Sequence, residues 1–384
     1  MRRRKAAPRG VKLRLIRRPQ RTASAGSRLG EKRGRRNGYA QGYHFGRCQS
    51  IRANVIPAVP AVRGLKVLYI PQGFPAIDQG VSSALQQSVR ELVVGTPQTM
   101  HELAEQHRPD LVLVLNGLHV FPPDHLEQVE RIRQLGIHTA VWFADDPYFT
   151  DFTAAIGPKY DTVLTHEQSC IPFYKSLGCP KVIYLPLAAD TQTFQPQPSG
   201  PAYQSDICFI GNAFWNRAAF FDRIARYLAH KRVVIAGGFW ERMSKFKLLK
   251  PQIRSGWMPV EESVKYYSGA KIVINLHRSH DHPDDNKNRQ RIPAQSVNPR
   301  TYEISACGTL QLTDLRDDLT RYYTPGVELD VYRTPEELLY KIDYYLHHEE
   351  QRRTIAYNGL RRTLLEHSYL SRIGQMLNLL GYTN

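Results

Sequence analysis

The sequence has few cysteines, and their arrangement excludes a disulfide framework and a zinc site. The five are odd in number and include no CxxC pair: Cys48, Cys170, Cys179, Cys208 and Cys307. Scattered thiols of this kind are typical of a reducing compartment. The chain also lacks the run of about 20 apolar residues that crosses a membrane as a helix. No apolar run of signal-peptide length follows its basic start, so we expect a cytoplasmic protein.

Acidic residues are almost absent from the first 63 positions. This segment holds 18 Lys and Arg against the single acid Glu31, whereas the remainder holds 34 residues of each sign. The net charge of +17 therefore resides in the N-terminal segment alone. The segment is rich in Arg and Gly and has no sustained apolar period, which predicts a disordered basic arm over 1–63. Such an arm suits a polyanionic surface, namely nucleic acid, an acidic glycan or teichoic polymer, or an acidic coat; an unselective solvated tail is the alternative.

The rest of the 384-residue chain is too long for one ordinary core and divides into two series of strands that alternate with helices. The predicted strands are 66–70, 111–115, 139–143, 162–165 and 182–185, followed by 207–210, 233–236, 271–275 and 309–313. The predicted helices are 82–94, 99–107, 124–135 and 167–177, followed by 214–229, 260–269, 299–306, 335–348, 350–366 and 368–380. Continuous apolar strands of this kind indicate parallel sheets covered on both faces. We therefore predict an α/β protein with domains at 64–188 and 203–384, joined by a linker at 189–202.

The segment from Asn298 to Gly308 predicts a short helix with a binding site at its start. Asn298 suits the N-cap, Pro299 the first turn and Gly308 the C-terminal cap. Arg300 lies in the first turn, where the helix dipole disfavours a cation, so a diphosphate is a fitting partner. Glu303, one turn further on, can accept both hydroxyls of a ribose. The alternative is a capped surface helix in which Arg300 and Glu303 pair with each other.

Two strand ends of the second series carry further candidates for nucleotide-sugar binding. Gly211, Asn212 and Arg217 follow the first strand of that series. The glycine admits a close backbone approach and the arginine can reach a phosphate, although most glycines at strand ends are only turns. Asn275 and His277 stand at the end of a later strand.

Asp145 and Asp146 end a strand of the first series. Ligands bind outside the carboxyl ends of parallel strands, so we expect both carboxylates to face the cleft. Carboxylates there suit a general base that deprotonates an acceptor hydroxyl, and we predict a catalytic role for them. The alternative is an N-cap, because Asp before Pro is common in turns. His166 and Glu167 follow a neighbouring strand at a similar position.

A long polar loop at 279–296 is the remaining candidate. It contains two histidines and three aspartates: His280, Asp281, His282, Asp284 and Asp285. A metal site is one interpretation, but the loop lacks ligand spacing on a rigid element. We therefore predict a solvated loop beside the donor and no bound metal.

Several segments together resemble a known family. Three segments, in this order, resemble the second half of GT-B glycosyltransferases. They are Gly211 after a strand, Gly256 with 259–275, and Asn298-x-Arg300-x-x-Glu303 before Gly308. More narrowly, the chain resembles the spore-maturation CgeB family in that Asn–Arg–Glu motif and in Trp142-x-x-Asp-Asp-Pro147, Leu312-Thr-Asp314 and Glu336-Glu-Leu338. The match covers about residues 64–382.

The resemblance implies a GT-B fold of two facing Rossmann-like domains with a C-terminal helix. It also implies a nucleotide-diphosphate sugar held mainly by the second domain and an acceptor held mainly by the first. Glu303 would contact the ribose, and Arg217 and Arg300 would neutralise the diphosphate without a metal. No cofactor is expected, and UDP is the expected nucleotide. Related retaining enzymes carry a glutamate eight positions before the ribose-binding one, where this chain has Gln295.

We therefore predict a hexosyl-type glycosyltransferase whose acceptor is a hydroxyl on a glycan or protein, acting in cell- or spore-surface glycan formation. By the same resemblance, a cytoplasmic protein associated with the spore surface is expected. One alternative is a non-catalytic GT-B scaffold of a spore surface layer, which Gln295 favours. Another is a sugar-nucleotide epimerase of the same fold, for which no convincing set of cleft His and carboxylate residues is present.

Overall fold

The computed structural model describes residues 23–57 and 61–383, and the chain divides into two compact units, residues 1–44 and 45–384. Helix α1 runs from Ala23 to Asn54, so the prediction of a disordered arm is corrected for these residues. Residues 20–56 contain no proline to interrupt a helix. Within the second unit, the last turns of α1 bury Cys48 completely. Positions 1–22 and 58–60 of the predicted arm lie outside the described residues.

The first domain of the second unit is built on a parallel six-stranded sheet. Its strands are β1 Arg63–Ile70, β2 Val89–Val94, β3 Leu111–Leu115, β4 His138–Phe143, β5 Thr162–Thr165 and β6 Val182–Tyr184. Its helices are α2 Pro75–Ser88, α3 Met100–His107, α4 His125–Gln134, α5 Thr150–Ile156 and α6 Cys170–Ser176. In the strand order β2-β1-β3-β4-β5-β6, successive strands are added on one side of β1 and then, from β3 onward, on its other side, so the order reverses between β1 and β3. Ligands in such sheets bind at this reversal, outside the carboxyl ends of the strands.

The second domain is built on another parallel six-stranded sheet. Its strands are β7 Ser205–Ile210, β8 Val233–Gly237, β9 Ile253–Ser255, β10 Ala270–Asn275, β11 Leu310–Asp314 and β12 Asp330–Tyr332. The helices after β7 are α7 Trp215–Leu228, α8 Phe246–Leu249, α9 Val260–Gly269, α10 Arg300–Ala306, α11 Pro335–His347, α12 Glu349–Glu366 and α13 Tyr369–Leu380. The strand order β12-β11-β10-β7-β8-β9 reverses between β7 and β10. The prediction of two Rossmann-like domains is confirmed. No helix in the described ranges has the length and apolar content needed to cross a membrane.

Several short elements differ from the sequence prediction, among them the helices α5 and α8, which were not predicted. The predicted helix 82–94 ends at Ser88, and Val89–Val94 instead form an edge strand. The β-branched and apolar composition of that stretch favours the sheet. The three-residue strands β9 and β12 were not predicted, because so short a run carries little periodicity.

The C-terminal helix α13 packs in the core of the first domain. Tyr369, Ile373 and Leu377 are buried in one cluster with Val81 and Leu85 of α2. A side chain at Gly80 would overlap the ring of Tyr369, so a glycine there allows the two helices to approach. The chain therefore crosses between the domains twice, at the linker and again before α13. The predicted second domain, 203–384, therefore ends before α13, which belongs to the first domain.

The loop after β10, residues 276–299, also reaches the first domain, and we call it the interdomain loop. The amide of Lys287 donates to the carbonyl of Tyr148 over 2.8 Å, and the hydroxyl of Thr150 donates to Asn288 over 3.0 Å. Ile292 is buried in the core of the first domain. The prediction of a solvated loop at 279–296 is therefore wrong for its second half, because these contacts depend on the first domain and leave no local signal.

Candidate active site

A cavity of about 400 Å³ lies between the two domains, and loops from both sheets line it. It lies outside the carboxyl ends of the strands, where both sheets reverse their strand order. Eight of the ten residues predicted for catalysis or nucleotide-sugar binding line it, namely Asp145, Gly211, Asn212, Arg217, His277, Asn298, Arg300 and Glu303. Two others, Asp146 and Asn275, do not.

Two arginines stand side by side on the second-domain wall of the cavity. The Nη1 of Arg300 donates to the carbonyl of Ile210 over 2.9 Å. The Nε of Arg217 donates to the carbonyl of Leu276 over 2.9 Å, and its Nη1 to Asn212 over 2.9 Å. Neither forms an ion pair with a carboxylate of the described residues. The carbonyl ends of β7 and β10 thus orient two cations whose charge is left for an anion.

Gly211 lets these arginines lie against the end of β7. A Cβ at this position would stand 2.5 Å from the Nη1 of Arg300 and 3.1 Å from the Nη1 of Arg217. Both guanidinium groups would have to move to accommodate it. The glycine is therefore required by a side-chain approach rather than by a turn.

Glu303 presents a buried carboxylate to the cavity. Its carboxylate accepts no hydrogen bond from any other residue that the structure describes, and no ion pair joins it to Arg300. Burial raises the pKa of Glu303 to about 7, and the nearby charge of Arg300 opposes that rise. The alternative in which Arg300 and Glu303 pair on a surface helix is not what the structure shows. A buried carboxylate that accepts no hydrogen bond within the protein is suited to accept one from a hydroxyl group of a ligand.

His277 positions the start of α10 through hydrogen bonds that determine which ring nitrogen carries the proton. Its Nδ1 lies 2.6 Å from the Oδ1 of Asp314, and its Nε2 lies 3.0 Å from the amide of Asn298. The amide is a donor, so Nε2 accepts and the proton resides on Nδ1, which donates to Asp314. Burial lowers the pKa of His277 to about 4, which keeps the ring neutral. His277 lines the cavity, but both of its nitrogens are engaged within the protein.

Asn275 supports the same segment from inside the sheet. Its amide donates to Asn298 over 3.1 Å and to Gln311 over 2.8 Å, and it accepts from Asn298 over 3.0 Å. The side-chain oxygen of Asn298 in turn accepts from the amide of Thr301, as an N-cap does. The expected ligand contact of Asn275 is therefore corrected: the residue holds Asn298 in place.

The neighbouring aspartates face different environments. Asp145 lines the cavity, and its carboxylate accepts a hydrogen bond of 2.9 Å from the amide of Asn116. Asp146 is only 1% exposed and accepts hydrogen bonds from Thr165 and Tyr174 of the first domain. Burial raises the pKa of Asp146 to about 7. The prediction that both carboxylates face the cleft is wrong for Asp146, because Thr165 and Tyr174 hold its carboxylate within the first domain.

Glu167 lines the cavity and also connects the two domains. Its Oε2 accepts from the backbone amides of Gln295 and Ser296 over 3.0 Å each. Ser296 lines the cavity, whereas Gln295 does not. The position at which related retaining enzymes carry a glutamate is therefore held against the first domain through its backbone.

Several lining residues escaped the sequence reasoning, among them Trp257, Tyr148 and Arg278. Trp257 stands at the cavity with 76% of its surface exposed, although only the preceding Gly256 entered the family pattern. Tyr148 and Arg278 line the boundary between the domains. No cluster of three or more His, Cys, Asp or Glu side chains suited to a metal occurs among residues 23–57 and 61–383.

The comparisons with known proteins agree with this architecture. A family model described as glycosyl transferase-like matches residues 217–378. The spore protein CgeB of Bacillus subtilis strain 168 is 30% identical to this chain over 309 residues, which cover 78% of this chain and 94% of the relative.

Solved structures resemble this chain in fold. Anabaena HepE, solved in complex with UDP-glucose, superposes with a TM-score of 0.57 at 11% identity, over 83% of this chain and 100% of that one. Sucrose-phosphate synthase from Thermosynechococcus elongatus gives 0.55 at 12% identity, over 82% and 98%. A glycosyltransferase from Rickettsia africae gives 0.53 at 12% identity, over 83% and 98%.

Proposed function

This chain belongs to the CgeB-like family of glycosyltransferases, and we propose that it transfers a hexose-type sugar from a nucleotide-diphosphate sugar to a hydroxyl acceptor. The observation that carries the proposal is the cavity wall formed by Arg217, Arg300 and Glu303. Among the described residues, these two guanidinium groups have no carboxylate partner, and they face the same space as a buried carboxylate that has no hydrogen-bond donor. A nucleoside diphosphate supplies both missing partners, because it carries phosphate oxygens and ribose hydroxyls.

Each group has a distinct role in the proposed reaction. Arg217 and Arg300 bind the diphosphate and stabilise the charge that develops on it as the glycosidic bond breaks, so no metal is needed. Glu303 accepts the ribose hydroxyls. Asp145, on the opposite wall, accepts the proton of the attacking hydroxyl.

UDP is the nucleotide that we propose. The support is the fold shared with Anabaena HepE, which was solved with UDP and with UDP-glucose. Trp257 provides an exposed aromatic face at the cavity on which a base can stack. The relative in Bacillus subtilis is a spore protein, so we propose that the acceptor belongs to a spore-surface or cell-surface glycan or protein.

Calorimetric titration of UDP, GDP and dTDP into the full-length chain tests the donor site. We expect UDP to bind with micromolar affinity, and Arg300→Ala and Glu303→Ala each to weaken binding by about tenfold or more, since charge-assisted hydrogen bonds are lost. Arg226→Ala, at an exposed position of α7, is the matched control and should bind as the unaltered chain does. Binding that survives both cavity substitutions would contradict the assignment.

A non-catalytic GT-B scaffold is the second candidate, because two observations favour it. Gln295 replaces the glutamate of related retaining enzymes, and it lies outside the cavity lining. The interdomain loop is also bonded to both domains, as a structural element is. A folded chain that binds none of the three nucleotides would favour this candidate over the enzyme.

The basic helix of the first unit supports a separate proposal about location. Its described residues between 28 and 39 are exposed and include Arg28, Lys32, Arg35 and Arg36, with Glu31 as the one acid. We propose that this segment contacts a polyanionic surface through charge. Binding to a heparin column that weakens steeply with salt, and that is lost when these four residues become glutamine, would support it. Retention unchanged by the substitutions would exclude it.

A further inference from the structure

Arg278 holds an unmatched positive charge at the boundary between the domains. It lies in the interdomain loop, two residues after the Leu276 carbonyl that orients Arg217, and it lines the cavity. Its guanidinium packs 4.3 Å from the ring centre of Phe214 in the second domain. On the first-domain side it lies 4.5 Å from the ring centre of Tyr148 and 5.3 Å from that of Phe149.

These three aromatic rings fix the position of the guanidinium without using its hydrogen-bond donors. An arginine contacts aromatic faces through its flat surface, while its N–H groups point outward in the plane. The N–H groups of Arg278 reach no acceptor among the described residues, and its Nε is buried without a partner. No carboxylate of the described residues lies within ion-pair distance of it.

The other arginines near the cavity are all engaged, which sets Arg278 apart. Arg217 and Arg300 donate to main-chain carbonyls. Arg316 forms an ion pair of 3.1 Å with Asp314 and also donates to the carbonyl of Ala294. Arg278 is partly buried, and only its Nε is a buried atom without a partner, so its other N–H groups are open to the cavity, where an anionic ligand can supply acceptors.

The groups around Arg278 belong to the acceptor side of the cavity. Tyr148 and Phe149 follow Asp145, the proposed base, after only two intervening residues. His166 also lines the cavity; it is 6% exposed, and neither ring nitrogen has a hydrogen bond of good geometry to any described residue. Burial lowers the pKa of His166 to about 4, so its neutral ring offers one donor and one acceptor, as a hydroxyl group requires.

We propose that the acceptor substrate is anionic and that Arg278 binds its phosphate or carboxylate group. This inference rests on the proposed transferase function and specifies the substrate class of the same site. The diphosphate of the donor is matched by Arg217 and Arg300, so the third cation is available to a second negatively charged molecule. Asp145 and His166 then receive the hydroxyl of that molecule, and Arg278 selects acceptors that carry a negative charge near it.

Binding of matched ligands to the full-length chain saturated with UDP tests the proposal. The probes are glucose, glucose 6-phosphate and glucuronate, which share a ring and differ in charged group. We expect at least one anionic sugar to bind about tenfold more tightly than glucose, as expected for a charge-assisted contact. The stronger of the two anionic sugars identifies phosphate or carboxylate as the recognised group.

Substitutions of Arg278 separate charge recognition from a structural role. Arg278→Gln should reduce the preference to about twofold or less, since the charge is gone, whereas Arg278→Lys should retain part of it, because lysine keeps the charge but lacks the planar group that the rings hold. Both variants should bind UDP as the unaltered chain does, and Arg226→Gln should change neither measurement.

Each other outcome overturns the inference in a recognisable way. Equal or absent binding of all three sugars, with UDP bound normally, rejects an anionic acceptor and leaves the donor site intact. Loss of UDP binding in Arg278→Gln assigns this residue to the donor instead. Failure of the unaltered chain to bind UDP removes the proposed function and this inference together.

Discussion

The carboxylate of Asp145 lines the interdomain cavity, whereas that of Asp146, the next residue, is buried and accepts hydrogen bonds from Thr165 and Tyr174. The segment after β4 therefore places one carboxylate at the cavity and the other in the core. The sequence analysis predicted the same role for both residues. Of the two, only Asp145 lies where it can contact a ligand in the cavity.

Substitutions of the two aspartates should separate these roles. Asp145→Asn should lower the release of UDP from UDP-glucose by about a hundredfold or more, because a general base is lost. Asp146→Ala should instead lower the melting temperature, because two buried donors lose their acceptor. Both variants should bind UDP normally in calorimetry. Equal loss of turnover, with unchanged melting temperatures, would show that Asp146 also takes part in the reaction.

A single methyl group at Gly211 should disable the diphosphate site. The added Cβ of Gly211→Ala would stand 2.5 Å from Arg300 and 3.1 Å from Arg217, so both guanidinium groups must shift. We expect UDP affinity to fall by about tenfold, with little change in melting temperature because the displaced groups are side-chain ends. Gly64→Ala, where the Cβ meets no atom within 4 Å, is the control. Unchanged affinity in Gly211→Ala would show that these arginines do not bind the diphosphate.

Trp257 should contribute to binding through the base alone. Its exposed face can stack on the uracil ring, so Trp257→Ala should weaken UDP binding by about fivefold to tenfold, as expected for one stacked base. Binding of inorganic diphosphate should not change. Tyr340→Ala, which removes an exposed ring on α11, serves as the comparison. A loss that is equal for UDP and for diphosphate would assign Trp257 to the phosphate region.

The raised pKa of Glu303 predicts a pH-dependent cost in stability. Burial shifts it from 4.5 to about 7, so between these pH values the folded chain keeps a proton that the unfolded chain has released. The free energy of unfolding therefore falls as pH rises through this window.

Glu303→Gln should remove that fall. The difference between the pH 5 and pH 8 stabilities should be smaller in the variant by up to about 3 kcal/mol, measured by urea unfolding. Glu105→Gln, at an exposed position, should leave the pH dependence unchanged. Parallel pH profiles for the unaltered chain and Glu303→Gln would show that the carboxylate is solvated.

The regular elements could be predicted because their signals are local. The runs at 111–115 and 162–165 match β3 and β5 residue for residue, since continuous β-branched and leucine segments between turns favour buried strands. The helix at 260–269 also matches α9. The stretch 89–94 was assigned incorrectly because its apolar spacing fits a helix and a strand equally well.

The site could be predicted most directly where one segment carries its own chemistry. Asn298, Arg300 and Glu303 lie on a single capped turn, so the sequence places them together. Arg278 enters the site through contacts between the domains, and nothing within its own segment indicates the rings of Tyr148 and Phe149. The same holds for Glu167, whose carboxylate accepts from the amide of Gln295, 128 residues further along the chain.

The packing of α13 also constrains how the chain folds during its synthesis. The core of the first domain includes Ile373, Met376 and Leu377, which are translated after the entire second domain. The nascent first domain therefore lacks α13, and the apolar groove along α2 stays uncovered, until about 180 further residues have been synthesised. Translation proceeds at roughly 5–20 residues per second. For that interval of many seconds the groove is open to chaperones. The first domain is synthesised before the second, but its core is complete only after the second domain has been synthesised.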